Sequence, residues 1–159
     1  MKIKTLRDED FTNYKKPSMI IGFPTCNWKC CLEANCDASM CQNSLLAQAK
    51  TIDITEDTIY SRYAANPLTS AIVLAGLEPF DSFEDVYSLI SYFRQYTFDD
   101  IVIYTGYNRD EIQEQVEKLK MFKNIIIKYG RFIPNQVPHF DEVLGINLAS
   151  DNQYAIKET

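Results

Sequence analysis

Four short apolar runs, separated by segments with helical spacing, constrain the fold of this chain most strongly. Each run is continuous rather than alternating and is rich in β-branched residues, which is typical of strands buried on both faces of a parallel sheet. The predicted strands are residues 19–23, 71–75, 101–104 and 125–129.

The segments between these runs predict three helices, at residues 56–65, 83–96 and 109–121. Their apolar residues recur at the three- and four-residue spacing of one helix face. Asp81 with Glu84 resembles a capping box for the middle helix, and Asn108 is a candidate cap for the last. Pro67 should end the first helix, because the residue before a proline avoids the helical conformation.

Alternating strands and helices indicate βα units, so we predict an α/β fold with a mostly parallel sheet. A composition of 46% hydrophobic residues supplies one core of ordinary size, and we expect a single domain, 1–159. The units are too few for a closed eight-unit barrel of roughly 200 residues or more, so we expect an open or minimal partial (β/α) barrel. Residues 134–138 predict a loop, and the stretch after Gly145 predicts irregular structure or a last edge strand.

Charge and hydropathy exclude some partners. Acidic residues outnumber basic ones by 22 to 16, the formal charge is −6, and no basic cluster stands out, so we expect no nucleic-acid partner. The first ten residues are charged and the apolar runs are too short to span a bilayer. We therefore expect a soluble, cytoplasmic protein with no membrane partner.

All five cysteines fall within sixteen residues, from Cys26 to Cys41. An odd number cannot pair completely within one chain, and disulfides are rare in a reducing cytosol, so this crowding predicts a metal site. Soft thiolates favour iron–sulfur clusters or zinc. Three thiolates on a four-iron cluster leave one iron open for a substrate, whereas a structural zinc site or a ferredoxin uses four ligands.

Residues that follow the predicted strands should converge, because the carboxyl ends of parallel strands lie at one edge of a sheet. The cysteine loop, residues 24–43, follows the first strand, and Gly76, Glu78 and Pro79 follow the second. The third is followed by residues 105–107 and the fourth by residues 130–132. We therefore predict one site that combines thiols, a carboxylate, glycine backbone and Arg131.

At these same places the chain resembles the small radical S-adenosylmethionine (SAM) activating enzymes, a family that includes the activating proteins of anaerobic ribonucleoside-triphosphate reductases. The resemblance covers most of the chain. Phe23-Pro24, then Cys26 and Cys30, then Cys41-Gln42-Asn43 stand where that family has a strand ending in Phe-Pro and its CxxxCxxC motif. The matching later elements are residues 75–79 for a GGEP-like turn, 104–107 for Tyr-Thr-Gly-Tyr, 129–132 for Asp-Gly-Pro-Phe and 150–153 for a terminal Ser-Asn-Gln.

The resemblance implies a 4Fe-4S cluster on Cys26, Cys30 and Cys41, with SAM as the second cofactor. It places Met40, Gln42, Asn43, Ala75, Gly76 and Glu78 around SAM, and a carboxylate such as Glu78 is a natural acceptor for an ammonium group. Ten residues separate Cys30 from Cys41 where the family has two, so Cys31 can replace Cys30 and Cys36 can replace Cys41. Arg131 and Lys128 are candidates for the SAM carboxylate or a partner, although we expect Lys128 to be surface charge.

The implied reaction is reductive SAM cleavage that places a glycyl radical on the large subunit of an anaerobic ribonucleotide reductase or on another glycyl-radical protein. A low-potential donor such as flavodoxin would supply the electron. Two alternatives stay open. One is a radical SAM protein that acts on a different protein or peptide, and the other is a zinc-stabilised binding module without catalysis.

Overall fold

A computed structural model describes residues 1–159 and contains ten β-strands, five α-helices and three short 3₁₀ turns. The strands are β1 Lys2–Ile3, β2 Thr5–Asp10, β3 Ser18–Phe23, β4 Ile52–Asp53, β5 Ala71–Gly76, β6 Asp100–Tyr104, β7 Ile125–Tyr129, β8 His139–Asp141, β9 Ile146–Leu148 and β10 Tyr154–Lys157. The helices are α1 Lys29–Glu33, α2 Ser44–Gln48, α3 Glu56–Ala65, α4 Phe83–Phe93 and α5 Gln113–Leu119. The 3₁₀ turns are Ala38–Met40, Pro79–Ser82 and Arg109–Ile112.

Six strands form the central sheet in the order β10-β7-β6-β5-β3-β2. The four predicted strands are its middle, and they pair parallel to one another in chain order. β2 and β10 flank them as antiparallel edges and do not pair with each other, so the sheet is open. The predicted α/β class and mostly parallel sheet are confirmed, while a partial-barrel curvature stays a prediction.

The two faces of the sheet are covered differently. Successive side chains of a strand point to opposite faces, and alternate residues of β3 and β5–β7 pack with α3, α4 and α5 in the larger core. The other face carries a smaller core around Val73 and Val102, closed by Tyr14, Leu144 and Leu148 from loops and the β8–β9 hairpin. Both faces are buried in the middle of the sheet, which explains the continuous apolar runs.

The helices begin largely where the sequence predicts. α3 matches the predicted 56–65, and its N-cap Thr55 accepts a hydrogen bond from the Thr58 backbone N–H. The last predicted helix starts as a 3₁₀ turn after Asn108, whose backbone N–H donates to the Glu111 carboxylate at 2.8 Å. α4 ends at Phe93, earlier than the predicted residue 96.

The predicted Asp81–Glu84 capping box is wrong. α4 is preceded by the 3₁₀ turn Pro79–Ser82, and no side chain caps its own first turn. The Asp81 carboxylate instead accepts from the Asn27 backbone N–H at 2.9 Å and from the Tyr107 hydroxyl at 2.6 Å. Asp81 thus ties the cysteine loop to the end of β6, a long-range role that local spacing does not reveal.

The sequence analysis did not predict the edge strand β2, and it gave the edge strand β10 as one of two alternatives. β2 has a charged sequence that does not alternate clearly, and charge on an edge strand opposes pairing with other chains. β10 confirms the edge-strand alternative for the stretch after Gly145. No helix is long and apolar enough to cross a membrane.

The carboxylate of Glu158, just after β10, joins the C-terminus to the helix layer. Its side chain is 3% exposed, and it accepts from Arg109 Nε and Nη2 at 2.9 and 3.0 Å and from the Tyr129 hydroxyl at 2.7 Å. The Arg109 guanidinium holds the pKa of Glu158 below its ordinary value of 4.5. Glu158 therefore stabilises the fold as a carboxylate.

We predict that Glu158→Gln lowers the free energy of unfolding by about 1–3 kcal/mol at neutral pH, because the buried Tyr129 hydroxyl and the half-exposed Arg109 guanidinium lose a charged acceptor. A carboxyl with a lowered folded-state pKa stabilises the protein fully above 4.5 and loses that effect as the pH falls through the folded-state value. The difference from wild type should therefore shrink in acid, measured by urea unfolding. Glu117→Gln, at an exposed pair with Lys120, is the control and should change little. An equal loss in both variants would contradict the prediction.

Candidate metal centre

A cavity of about 490 Å³ lies at the carboxyl ends of the parallel strands, on the sheet face opposite α3–α5. Its floor is formed by strand residues of that face, among them Ile20, Gly22, Ala75, Tyr104 and Lys128. All five cysteines line it. The structure therefore confirms that the strand ends and the cysteine loop converge.

The cysteine loop reaches the cavity in three short steps. Cys26 follows β3, α1 carries Cys30 and Cys31, and the 3₁₀ turn Ala38–Met40 leads to Cys41. Trp28 and Asn35 adopt left-handed backbone conformations, with φ of 59° and 49°, and so bend the chain on either side of α1. These bends bring Cys30 and Cys41, which ten residues separate in sequence, to the same cavity.

Three of the five thiols accept hydrogen bonds from backbone N–H groups. Trp28 N donates to Cys26 Sγ at 3.2 Å, and Asn43 N donates to Cys41 Sγ at 3.4 Å. The backbone N–H of Phe132, just after β7, bonds the Cys30 thiol. Such bonds stabilise negative charge on sulfur and are a means by which proteins tune iron–sulfur clusters.

Cys31 and Cys36 are arranged differently. Their side chains lie close to each other, and the Cys36 backbone N–H donates to the Cys31 carbonyl at 3.0 Å. Cys31 is buried. The structure thus divides the thiols into three that face backbone donors and two that lie beside each other.

Burial makes the free thiols reluctant to ionise. It raises the pKa of Cys26 to about 11 and that of Cys31 to about 12, and it raises the pKa of Cys30 as well. A metal must bind thiolate, so loading this site releases protons and replaces unfavourable buried charge with metal–sulfur bonds. The site is therefore suited to a metal group that holds its ligands strongly.

A single zinc ion would draw its thiolates around one point, with Zn–S bonds of about 2.3 Å. No group of three or more cysteine, histidine, aspartate or glutamate side chains gathers closely enough to hold such an ion. The five thiols border the cavity instead.

Glu78 is the carboxylate of the site and is 5% exposed. Its Oε1 accepts from the Thr105 hydroxyl at 2.8 Å and from Phe80 N at 3.1 Å, and its Oε2 accepts from Gly106 N at 2.8 Å. Burial raises its pKa to about 7, against the effect of these donors. Since a carboxylate has about four acceptor positions, three bonds fix Glu78 and leave capacity for one ligand.

Gly76, the last residue of β5, has a backbone conformation and surroundings that require glycine. Its φ is +95°, and a Cβ there would lie 2.5 Å from Phe23 N, so no other residue fits without moving β3. The Asn43 side-chain amide donates to the Gly76 carbonyl. Asn43 thereby joins the far end of the cysteine loop to the strand end that carries Glu78.

Most predicted site residues lie together. Gln42, Asn43, Ala75, Gly76 and Glu78 line the cavity with the cysteines. Met40 does not line it and is 51% exposed.

Two expectations about basic residues need correction. Lys128 is not surface charge, since it is 6% exposed and lines the cavity. Its Nζ donates to the Gly130 carbonyl at 3.0 Å, no carboxylate pairs with it, and burial lowers its pKa to about 8. Its position in β7 was the available signal, because a strand buried on both faces buries a lysine too. Arg131, by contrast, is paired with Glu111 and Glu33 behind the thiols and does not line the cavity.

Three residues that the sequence analysis did not place at the site also line the cavity: Thr5 and Arg7 of β2, and Asn13. Gln153, from the motif-matching stretch 150–153, lines it as well. β2 was not predicted as a strand, so nothing in the sequence placed its side chains against β3.

A comparison with known families matches residues 19–150 to the 4Fe-4S single cluster domain, a stretch that contains every cysteine and Glu78. No curated protein and no solved structure matches the chain. The match covers more than four-fifths of the 159 residues and agrees with thiols arranged for a cluster, against the zinc alternative. The chain belongs to the 4Fe-4S single cluster domain family and is an iron–sulfur protein.

Proposed function

We propose that this protein is a radical SAM enzyme that reductively cleaves SAM to generate a glycyl radical on a partner protein. The observation that carries the proposal is the division of the thiols beside one cavity. Cys26, Cys30 and Cys41 face backbone donors, while Cys31 and Cys36 lie beside each other. Three ligands on a four-iron cluster leave one iron for a cofactor, which an electron-transfer cluster with four ligands does not provide.

Cys26, Cys30 and Cys41 would hold the cluster, which would supply one electron from an external donor for reductive cleavage of the SAM C–S bond, so that methionine leaves and a hydrogen atom of a glycine Cα–H is taken up by the 5′-deoxyadenosyl group. The protein's part is to bind, orient and exclude water. A volume of about 490 Å³ lies within the roughly 300–1,000 Å³ of small-molecule sites. The walls enclose the reacting groups between the cysteine loop and the sheet.

Glu78 is suited to bind the SAM ammonium. Its carboxylate is fixed by Thr105, Phe80 and Gly106 and keeps one acceptor position. Gly76 and Ala75 bring backbone close to the cavity, and Asn43 holds the Gly76 carbonyl in place. Gln42 borders the same space beside Cys41.

Lys128 is suited to bind the SAM carboxylate. A buried ammonium without a carboxylate partner is costly unless an anion accompanies it. Lys128 lines the cavity that Glu78 lines, so a zwitterionic amino acid group can lie with its charges toward opposite partners. This pairing selects the methionyl end of SAM.

The partner is proposed from the resemblance in motif order. We propose the large subunit of an anaerobic ribonucleotide reductase, or another glycyl-radical protein, as the substrate. A low-potential donor such as flavodoxin is proposed as the source of the electron. The alternative substrate is a different protein or peptide, and radical transfer to the reductase distinguishes the two.

We predict that Cys26→Ala, Cys30→Ala and Cys41→Ala each abolish SAM cleavage, because each removes one of three cluster ligands. Cys31→Ala and Cys36→Ala are matched controls in the same loop and should retain it. Each variant is reconstituted anaerobically with iron and sulfide, and 5′-deoxyadenosine is measured by chromatography after reduction. Retained cleavage in Cys41→Ala with loss in Cys36→Ala would overturn the ligand assignment.

The same preparation tests the partner. Incubation with SAM, reductant and the reductase should produce a glycyl-radical signal by electron paramagnetic resonance. Cleavage without radical transfer would reject the reductase and favour another protein substrate. A cluster-loaded protein that binds no SAM and forms no 5′-deoxyadenosine would reject radical SAM chemistry.

We predict that Lys128→Met weakens SAM binding roughly ten- to hundredfold, the effect of losing one hydrogen bond to a charged group. Affinity for decarboxylated SAM should hardly change, because that ligand lacks the group that Lys128 binds. Equilibrium dialysis on cluster-loaded protein measures both. Lys118→Met, at an exposed residue of α5, is the control. Equal weakening for both ligands would show that Lys128 does not bind the carboxylate.

A further inference from the structure

We propose that Arg131 is a positioning residue for Cys30, which it holds through an ion-pair cluster with Glu111 and Glu33. The inference rests on the part of the proposed function that makes Cys30 a cluster ligand. It does not require SAM chemistry.

Arg131 is buried and held at both ends of its guanidinium. The side chain is 8% exposed, and Nη1 and Nη2 lie 2.5 and 2.7 Å from the two carboxylate oxygens of Glu111. This fork-to-fork geometry fixes direction as well as distance. The Arg131 side chain holds the pKa of Glu111 well below its usual range, so the pair stays charged.

The ion pairs of Arg131 and Glu111 also hold α1 in place. Arg131 Nε lies 2.6 Å from Glu33 Oε2 as an ion pair, without the alignment of a hydrogen bond. Lys29, on the first turn of α1, pairs with Glu111 as well. α1 has only five residues and is too short to be stable alone, so tertiary contacts must set its orientation. Lys29 and Glu33 flank Cys30 and Cys31, so fixing them fixes the thiols.

The Cys30 sulfur lies between Arg131 and the end of β6. The next residue, Phe132, supplies the backbone N–H that bonds the thiol. A Cβ on Gly106 would lie 2.7 Å from Cys30 Sγ, and Arg131 Nη1 reaches the Gly106 carbonyl at 3.4 Å. Arg131 therefore controls both surfaces against which the sulfur rests.

A cluster of four charged side chains, of which only Arg131 is buried, is a weak source of stability, because solvent screens the exposed members and desolvation of Arg131 offsets its attraction to them. Its geometry, however, specifies one arrangement of α1. The guanidinium also places positive charge near Cys30, which favours the more negative, reduced state of a cluster bound there. Loss of this charge should make the cluster's reduction potential more negative.

The test compares Arg131→Met and Arg131→Lys with Arg109→Met. Arg109 forms a forked pair with Glu158, and neither residue lines the cavity, so its variant controls for loss of an ion pair. Each protein is loaded with cluster in the absence of SAM. The readouts are the midpoint potential of the cluster, the rate of iron loss to a chelator and the unfolding temperature.

We expect Arg131→Met to shift the potential to a more negative value and to speed iron loss at least tenfold relative to Arg109→Met. Arg131→Lys keeps the positive charge but cannot form the two parallel hydrogen bonds to Glu111. We therefore expect the cluster's midpoint potential in this variant to return toward the wild-type value while iron loss stays fast. If Arg131→Met does not fold, Glu111→Gln, which breaks the same fork, should also speed iron loss.

Equal potentials and equal iron loss in the Arg131 and Arg109 variants would overturn the inference, even if SAM is cleaved normally. Cluster retention in Cys30→Ala would overturn it too, because Cys30 would then not be a ligand. A protein that shows the expected shifts but does not cleave SAM would reject the proposed function and leave this inference intact.

Discussion

The parallel pairing of β3, β5, β6 and β7 is the constraint on which the rest of the structure depends. It places four carboxyl ends at one edge, and each end leads into a part of the site. β3 and β5 lie so close together at Gly76 that a Cβ there would clash with the β3 backbone. Glu78 then bonds across to Thr105 and Gly106 after β6, so the strand ends are joined by a side chain where the ladder of backbone hydrogen bonds stops.

Three buried charged residues lie near this edge of the sheet, and each has different hydrogen-bond and ion-pair partners. Glu78 accepts three hydrogen bonds from the chain, and Arg131 pairs with carboxylates. Lys128 has one carbonyl and no anion. Glu78 keeps one free acceptor position, Arg131 is fully paired outside the cavity, and the Lys128 ammonium has no anionic partner within the chain.

The cysteines show how much of a site can be read from sequence. Their crowding identified a metal site, and the order of the motifs selected Cys26, Cys30 and Cys41 as proposed ligands. Spacing alone left Cys31 and Cys36 as alternatives. The distinction in the structure comes from Phe132, a hundred residues away in sequence, and from the contact of two thiols with each other. Neither is encoded in the local pattern.

The sequence by itself determined the parallel sheet, the three long helices and the strand ends at which the site lies, because these follow from local periodicity and from the rule that such ends converge. Only the tertiary structure decided the edge strand β2, the role of Asp81 as a tie instead of a cap, the burial of Lys128 and the pairing of Arg131 away from the cavity. These depend on which distant groups a charged side chain meets. The energy of a charge is set by its surroundings, and the residue type alone does not specify them.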